Sequence, residues 1–407
     1  MSRKLVLIAV LISVGVSAAF GQPGQATAFA TVVAQLKSED PELRRGALRA
    51  LGDSGYPEAI GPISTLLRDP LADIQIETIN TLLQFFVVEP LKARRYVGIV
   101  ELRNTRLAEA AFDLGPYAVI PQRVPEDLTQ NLAVAMADQS DRTRREAVYA
   151  LGVMGRPPVD SRTADAVIRT LKDPETGVRR AAARVAGALR IRQAGDALIE
   201  AMNDRNEGVR MAAMRAVGDL REWRALQALA DLFDYYGRGA LAEAAFDGLA
   251  RIAHVSSQEL FRERLTDPTP LIRRYAVEGL ARSGNQAAAA AVATRLAGET
   301  DEGVRVALAF ASIAGGGSGA ETLVRALDEN ARHEQAMDYF VDLGSRAIPG
   351  LRTALQQPSG VVRQRAAVVL GFIEGDEALS LVESAQRDPD VDVARAAERA
   401  TARIRQR

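Results

Sequence analysis

The chain has 407 residues and no cysteine, so disulfides, thiol nucleophiles, zinc–cysteine sites and a lipobox lipoprotein are excluded. Its 51 Lys and Arg residues nearly balance its 52 Asp and Glu residues, and no charged tail stands out, which argues against a nucleic-acid partner. An apolar content of 47% with only 5% aromatic residues favours helices that are stabilised by packing alone.

The N-terminal segment has the layout of a secretory signal peptide. A positive start at Arg3 precedes an uncharged apolar run and a stretch of small residues. This pattern predicts a signal peptide at 1–21, with cleavage after Ala18 or at the end of that range, then a short lead-in at 22–35. The protein would be periplasmic or secreted, with no membrane insertion after cleavage. The alternative is an uncleaved anchor, because the apolar stretch to Phe20 approaches the lower limit for a membrane span.

From residue 36 onwards the sequence repeats about every 31 residues. Each unit has an acidic turn, an arginine in the spacing Asp-x5-Arg, and an Ala-rich segment that often reads Ala-x-x-x-Leu-Gly. The acidic residue and the arginine (the register arginine) are Asp138 and Arg144, Asp173 and Arg179, Asp204 and Arg210, Asp267 and Arg273, and Glu299 and Arg305. Such a period is the signature of a solenoid. The sequence therefore predicts an all-α fold, an α-solenoid of roughly 12 helical hairpins over 36–407.

Each unit is predicted to contain two helices. In the first helix, apolar and small residues from Val178 to Leu189 recur at helical spacing and form one stripe. A second apolar segment follows and ends at an Asp-Pro dipeptide such as Asp173-Pro174. Because Asp caps helices and Pro is tolerated in a first turn, these dipeptides are expected to start the next helix.

Two stretches interrupt this regularity. One unit is barely visible at 107–115, and the prolines of Pro116–Pro125 should break regular helix, so the array is predicted to be irregular around 84–135. A second enlarged loop lies at Arg156–Asp160. Both loops are either functional insertions or sequence drift, which solenoids accept on their surfaces; drift is the favoured interpretation.

The acidic turn, the Val-Arg pair and the Ala-rich helix that follows resemble the HEAT-repeat family, in particular its short bacterial form of the phycobilisome lyase type. The Val-Arg pairs are Val178-Arg179, Val209-Arg210, Val304-Arg305 and Val362-Arg363. The resemblance covers nearly all of the chain after the leader. It implies that the Asp and Arg residues of successive repeats form a structural ladder between layers. An Arg fork suits carboxylates and helix-terminal carbonyls, and the alternative is a phosphate-binding row.

The resemblance also raises two enzyme activities. Bilin lyases act inside photosynthetic cells, which an exported chain does not fit. Deoxyhypusine hydroxylase binds two irons through His-Glu pairs on several repeats, whereas only His333-Glu334 is present here and the other histidine is His254. His333 is interpreted as a packed or partly exposed helix residue, and Gly315–Gly319 lacks the Lys of a phosphate-binding loop. The chain is therefore predicted to have no enzyme activity, no metal and no cofactor.

The predicted function is binding. Solenoids present a long concave surface, which is expected here on the second helices. The candidate partner-binding residues on those helices are Arg169, Glu200, Arg262, Arg325 and Arg352. This mixed row favours a protein or peptide partner, and hence an exported adaptor; the alternatives are an accessory factor or lyase-like HEAT-repeat enzyme, and a purely structural spacer. Trp223 and Tyr235-Tyr236 are interpreted as packing residues, with ligand anchors as the alternative.

We predict that export removes about 18 to 21 residues, because the charged start, apolar run and small residues form a cleavable leader. N-terminal sequencing of protein recovered from the periplasm of an expressing bacterium measures the new terminus. An intact Met1 on soluble protein recovered from the cytoplasm would contradict the prediction.

Overall fold

A computed structural model describes residues 23–88, 94–97, 100–103, 106–284, 292 and 298–406. The predicted signal peptide lies outside these residues, and the predicted lead-in is helical from its second residue. Within the described ranges, no helix has the length and apolar character that a membrane span needs.

The described fold consists of helices stacked in chain order, plus one short hairpin. The helices of the first part are α1 (Pro23–Gln35), α2 (Pro41–Ser54), α3 (Ile60–Ser64), α4 (Ala72–Leu83), α5 (Leu107–Asp113), α6 (Glu126–Ala135), α7 (Asp141–Met154), α8 (Ser161–Thr170), α9 (Thr176–Ala188), α10 (Gly195–Ala201) and α11 (Glu207–Asp219). Those of the second part are α12 (Leu226–Tyr236), α13 (Ala240–Ile252), α14 (Gln258–Arg264), α15 (Pro270–Arg282), α16 (Glu302–Ala314), α17 (Ala320–Ala326), α18 (His333–Leu343), α19 (Ile348–Ala354), α20 (Gly360–Leu370), α21 (Asp376–Ala385) and α22 (Val391–Arg405). The fold is an all-α solenoid, as the repeat period predicts.

The acidic turns organise the helix starts differently from the expectation. Asp173 does not cap α9; its Oδ1 accepts the backbone N–H of Glu175, which is itself the N-cap residue. Asp204 likewise accepts the N–H of Asn206, and the Asn206 side chain then caps α11. The prediction that the Asp of the Asp-Pro dipeptide caps the next helix is therefore wrong. The N-cap residue lies two positions later, because the Asp side chain stabilises the turn that precedes the helix.

The first helices of neighbouring layers approach each other closely at glycines. A Cβ at Gly187 would lie 2.9 Å from Cα of Ala216 in the next layer, and one at Gly371 would lie 2.9 Å from Cα of Ala400. Since real Cβ contacts are almost never this short, only glycine lets the two backbones meet there. The first helices are accordingly buried on nearly every side, as the pattern of α9 shows.

Residues 84–125, which we call the insertion, lie between the two helices of a single repeat, α4 and α6. The ends of the insertion pair with each other: Val88 N–H donates to the carbonyl of Ala118 (2.9 Å), and Ile120 N–H donates to that of Phe86 (2.8 Å). The insertion contains α5 and a hairpin of two antiparallel strands, β1 (Arg94–Val97) and β2 (Val100–Arg103). The interpretation of 107–115 as a weak repeat unit is therefore wrong.

The curvature of the stack places the first helices on its inner side. Tyr339 of α18 donates a hydrogen bond to Glu278 of α15 at 2.5 Å, and Arg282 of α15 reaches Asp342 of α18 at 2.9 Å, although α16 lies between these helices in the stack. Side chains from layers two apart can meet only on the inside of a tight curve. The expectation that the second helices line the concave face is therefore wrong, because the small first-helix residues let the layers close on their own side.

A matched glycine pair tests this packing. We expect Gly152→Ala in α7 to lower the free energy of unfolding by about 1–3 kcal/mol, because overpacking forces neighbours to move. A Cβ there would lie 2.6 Å from the Phe112 ring of the insertion and 2.8 Å from Val185. Gly46→Ala in α2 meets no atom within 4 Å and should raise stability by about 0.5–1 kcal/mol. Chemical denaturation measures both; a stabilised Gly152→Ala protein would contradict the close contact.

Candidate functional site

Three of the five predicted register arginines, Arg144, Arg179 and Arg273, join neighbouring layers through one repeated geometry. Arg179 donates through Nη1 to the carbonyls of Asp173 and Pro174, both at 2.9 Å, in its own turn. Its Nε and Nη2 donate to the two carboxylate oxygens of Asp204 in the next layer, at 2.7 and 3.0 Å. The same fork joins Arg44 to Asp69, Arg144 to Asp173, Arg273 to Glu299, and Arg363 to Asp388. These side chains hold the layers together and are not available to a ligand.

Four predicted members of the ladder make other contacts. Arg210 bonds only to carbonyls of its own turn, those of Asp204 (3.0 Å) and Arg205 (3.3 Å), and Arg305 pairs with Glu302 in its own helix at 3.0 Å. Asp138 accepts a hydrogen bond from the amide of Gln75 at 3.0 Å, since glutamine stands in the place of a register arginine. Asp267 accepts the N–H of Thr269, and leucine occupies the arginine position of the preceding layer.

The inner side holds a buried charged network that the register does not reveal. Glu278 is 3% exposed and accepts hydrogen bonds from Arg274 (2.8 Å), Arg282 (2.9 Å) and Tyr339 (2.5 Å). Burial opposes its ionisation, yet the two arginines hold the pKa of Glu278 at about 2. Because the carboxylate is fully hydrogen-bonded and paired, this network stabilises one arrangement of α15 and α18 instead of offering a reactive acid.

Burial acts differently at a neighbouring position of the inner side. The pKa of Asp219 is raised, mainly by burial, although Arg251 donates to its Oδ1 at 2.7 Å. Both side chains nevertheless keep 34% and 43% of their surface accessible. Because burial disfavours the charged form of a carboxyl group, the surrounding helices oppose the ionisation of Asp219 more than the ion pair with Arg251 favours it.

The insertion occupies this inner side. Glu109 and Asp113 of α5 accept from Arg180 and Arg184 of α9, each at 2.6 Å, and Phe112 packs against the guanidinium of Arg184. The sequence did not reveal these ion pairs, because the acidic residues lie far away along the chain in α5. The signal in the sequence was the presence of two arginines, Arg180 and Arg184, on a helix whose other residues are mostly buried, since such arginines need acidic partners.

The predicted partner-binding residues lie on the opposite, outer side. Each occupies the last turn of a second helix, namely Arg169 in α8, Glu200 in α10, Arg262 in α14, Arg325 in α17 and Arg352 in α19. We call these five residues the second-helix row. All are exposed except Arg262, which is half-buried. A basic residue in a last turn also complements the helix dipole, which gives these arginines a structural role as well.

Several members of the second-helix row already have intramolecular partners. Nζ of Lys172 lies 2.8 Å from Oε2 of Glu200, and Nη1 of Arg262 lies 2.9 Å from Oε2 of Glu259. Arg352 pairs with Glu377 of the following repeat. Exposed pairs of this kind contribute little to stability, so the side chains can exchange these contacts for contacts to a partner.

Two aromatic residues interpreted as packing residues are instead exposed. The side chain of Trp223, which begins the turn before α12, is 66% exposed, and that of Tyr235 is 82% exposed. Only Tyr236, whose ring contacts Tyr235 edge-on, packs partly against the core. The packing interpretation is therefore wrong for Trp223 and Tyr235, because the second helices turn their outer face to solvent at these positions.

The histidines and the glycine-rich turn have local structural roles. The ring of His254 accepts the N–H of Ser256 and caps the turn before α14, and Nδ1 of His333 lies 3.1 to 3.2 Å from two carbonyls of the preceding turn. Over the described residues, no group of three or more His, Asp or Glu side chains is placed to hold a metal ion. Gly319 starts α17 at a positive φ of 156°.

Comparison with known proteins places the chain among repeat proteins. A family model described as HEAT repeats matches residues 11–85, 164–245 and 237–312, which is more than half of the chain. No curated protein sequence matches it.

The solved structures that match the chain have low sequence identity and low TM-scores. An engineered protein is 16% identical, with 93% of this chain and 98% of that chain covered and a TM-score of 0.37. The complex of CpcE and CpcF of phycocyanin lyase from Nostoc is 17% identical over 81% of this chain and 100% of that one, with a TM-score of 0.34. Human deoxyhypusine hydroxylase is 17% identical over 69% and 97%, with a TM-score of 0.30.

The ladder can be tested with two register arginines that differ in one contact. Arg179→Ala leaves Asp204 without its partner and should lower the free energy of unfolding by about 1–3 kcal/mol. Arg210→Ala removes only contacts to carbonyls and should cost less than about 1 kcal/mol. Urea denaturation of both variants measures the difference, and equal losses would contradict a role for the carboxylate.

The pH dependence of the Arg179→Ala effect provides a second readout. The hydrogen bonds from Arg179 hold the pKa of Asp204 below its usual 3.8. A depressed pKa stabilises the folded state above pH 3.8, and acid removes this contribution as it protonates Asp204 in the folded protein. The stability difference between wild type and Arg179→Ala should therefore shrink as pH falls below that value.

Proposed function

Because this chain belongs to the HEAT-repeat family, we propose that it is a non-enzymatic scaffold that binds a protein or peptide partner along the second-helix row. Arrays of helical repeats bind partners over long surfaces to which many repeats contribute. Each of the five residues of the row comes from a different repeat. A partner that spans the row would gain affinity from several modest contacts without needing one deep pocket.

The observation that carries this proposal is that the chain fills its own inner side. There, Arg180 and Arg184 bind the insertion, and Glu278 and Arg282 bind each other. A partner on the inner side would have to break these internal ion pairs, and its own charged groups would lose their hydration to replace them. The second-helix row faces solvent and has only exposed pairs to exchange, so it is the surface a partner reaches at the lowest cost.

The composition of the second-helix row supports a partner with acidic segments. Four of its five residues are arginines, but Glu259 and Glu377 lie beside two of them. Alternating charge of this kind matches a folded protein or a mixed-charge peptide better than a uniform polyanion such as nucleic acid. Exposed Trp223 and Tyr235 add aromatic surface on the same second-helix side of the array.

We also propose that the scaffold works outside the cytoplasm, in the periplasm or as a secreted protein. The support is the signal-peptide pattern of residues 1–21, which lie outside the described part of the chain.

Charge reversal on the second-helix row tests the proposal. A partner is first isolated with the mature protein as bait from the envelope fraction of the source cells and identified by mass spectrometry. Arg169→Glu combined with Arg325→Glu should then weaken its binding at least about tenfold, as the loss of two interfacial charges implies. Isothermal titration measures Kd, and the melting temperature should change little because both side chains are exposed.

The matched control places the same charge change off the row. Arg205→Glu with Arg221→Glu alters two exposed arginines in the turns on either side of α11 and should leave Kd unchanged. Equal weakening by both double variants would contradict binding at the second-helix row. Recovery of no partner under varied salt and detergent conditions would favour a purely structural spacer instead.

A further inference from the structure

The insertion contacts repeats near the opposite end of the chain. In a solenoid each repeat normally contacts only its neighbours. Here the segment 116–121, which follows α5, touches α18, the turn after α20, and α22, at sequence separations of up to 285 residues. A contact of this span closes the stack of repeats on itself, and the repeat pattern does not require it.

The contact is centred on one tyrosine. The Tyr117 hydroxyl donates to Oδ1 of Asp338 at 2.7 Å, and its ring meets Phe372 edge-on with the ring centres 5.1 Å apart. Arg403 of α22 stacks over the same Phe372 ring at 4.0 Å and donates to the carbonyl of Val119. One aromatic anchor, one carboxylate and one guanidinium therefore join the insertion to three layers.

We propose that segment 116–121 is a latch that holds the last repeats against the second repeat in the isolated chain. The latch releases as a unit, without unfolding the repeats on either side, so the array has a closed and an open state. This inference concerns the shape of the array alone and is independent of the partner proposed for the second-helix row.

Both sides of the latch are built to persist when it opens. The segment is bounded by Pro116 and Pro121, whose fixed φ angles restrict its conformations. Backbone hydrogen bonds of Ala118 with Val88 and of Ile120 with Phe86 tie its middle to the body of the array. On the other side, α22 is held by the fork from Arg363 to Asp388 in the turn before it. Neither side depends on the latch for its own helices.

The latch combines polar and aromatic contacts and is incompletely packed. Tyr117, Val119 and Arg403 are only partly buried, and a small cavity remains between them and Ala400 of α22. On opening, the Tyr117 hydroxyl, the Asp338 carboxylate and the Arg403 guanidinium all become hydrated, so no buried polar group loses its partner. A contact of this composition separates at a small cost compared with a packed helix interface.

Distance measurements between two spin labels test the latch, and the absence of native cysteine makes the labelling unambiguous. Labels are attached to Arg123→Cys in the insertion and Arg405→Cys in α22, both of which are exposed. The otherwise wild-type chain should give one short, narrow distance distribution. Tyr117→Ala combined with Arg403→Ala should give a longer and broader distribution, with unchanged helical circular dichroism.

A milder variant and a matched control keep the test decisive. Tyr117→Phe retains the ring but loses the hydrogen bond to Asp338, and it should raise the open-to-closed ratio about tenfold. Tyr235→Ala with Arg395→Ala removes one exposed residue of each type outside the latch and should leave the distances unchanged. A narrow, short distance in all variants would show that the closure is rigid without Tyr117 and would overturn the proposal. Loss of helical signal in Tyr117→Phe would overturn it as well, because the latch would then be part of the core.

Discussion

The fork by which Arg44, Arg144, Arg179, Arg273 and Arg363 each join two turns is the contact on which the rest of the array depends. In the pair Arg179 and Asp204, the guanidinium holds the carbonyls of its own turn and the carboxylate of the next one. That carboxylate also accepts the backbone N–H of Asn206, the residue that caps α11. One ion pair therefore fixes where the next first helix begins and how far it lies from the preceding one. Where it recurs, this geometry fixes the distance between neighbouring turns, and the small residues of the first helices curve the stack.

The bend follows from the difference between the two helices of a repeat. First helices contact each other through glycine and alanine, as Gly187 does with Ala216, so their axes approach closely. Second helices keep an exposed face with long side chains such as Arg169 and Arg325. Closer spacing on one side of a stack curves it toward that side. The inner side becomes crowded enough to bury a charged network around Glu278, and the outer side keeps the surface on which charge remains hydrated.

The sequence predicts the fold well because the repeat period comes from residues that form turns and pack helices within one or two repeats. Asp-x5-Arg and the Ala-rich stripe are short-range patterns, and they locate the first helices from α7 to α16 without knowledge of distant contacts. The direction of curvature was not predictable in the same way, since it depends on the relative spacing of two helix layers. The exposed positions of Trp223 and Tyr235 escaped prediction for a related reason, because an aromatic residue at a helix end looks the same whether its face is covered or not.

The insertion could not be predicted from the repeat period, because it separates the two helices of a single repeat. Gln75 and Asp138 belong to successive layers, yet 62 residues separate them in the sequence, so a scan for a fixed period interprets the intervening chain as degenerate repeats. The structure shows that α4 and α6 form one hairpin and that the added chain turns inward. There it neutralises Arg180 and Arg184 and then reaches Asp338 and Arg403.

A linear solenoid gains stability only from neighbouring layers, and its end repeats have one neighbour each. The contacts of Tyr117 with Asp338 and Phe372 give the last described layers a neighbour in the insertion as well. Opening or fraying of α22 therefore also breaks a contact to the insertion, which in turn rests on α7 and α9. Through these contacts, the proposed latch joins the last layers to the repeats around α7 and α9, which lie far from them along the chain.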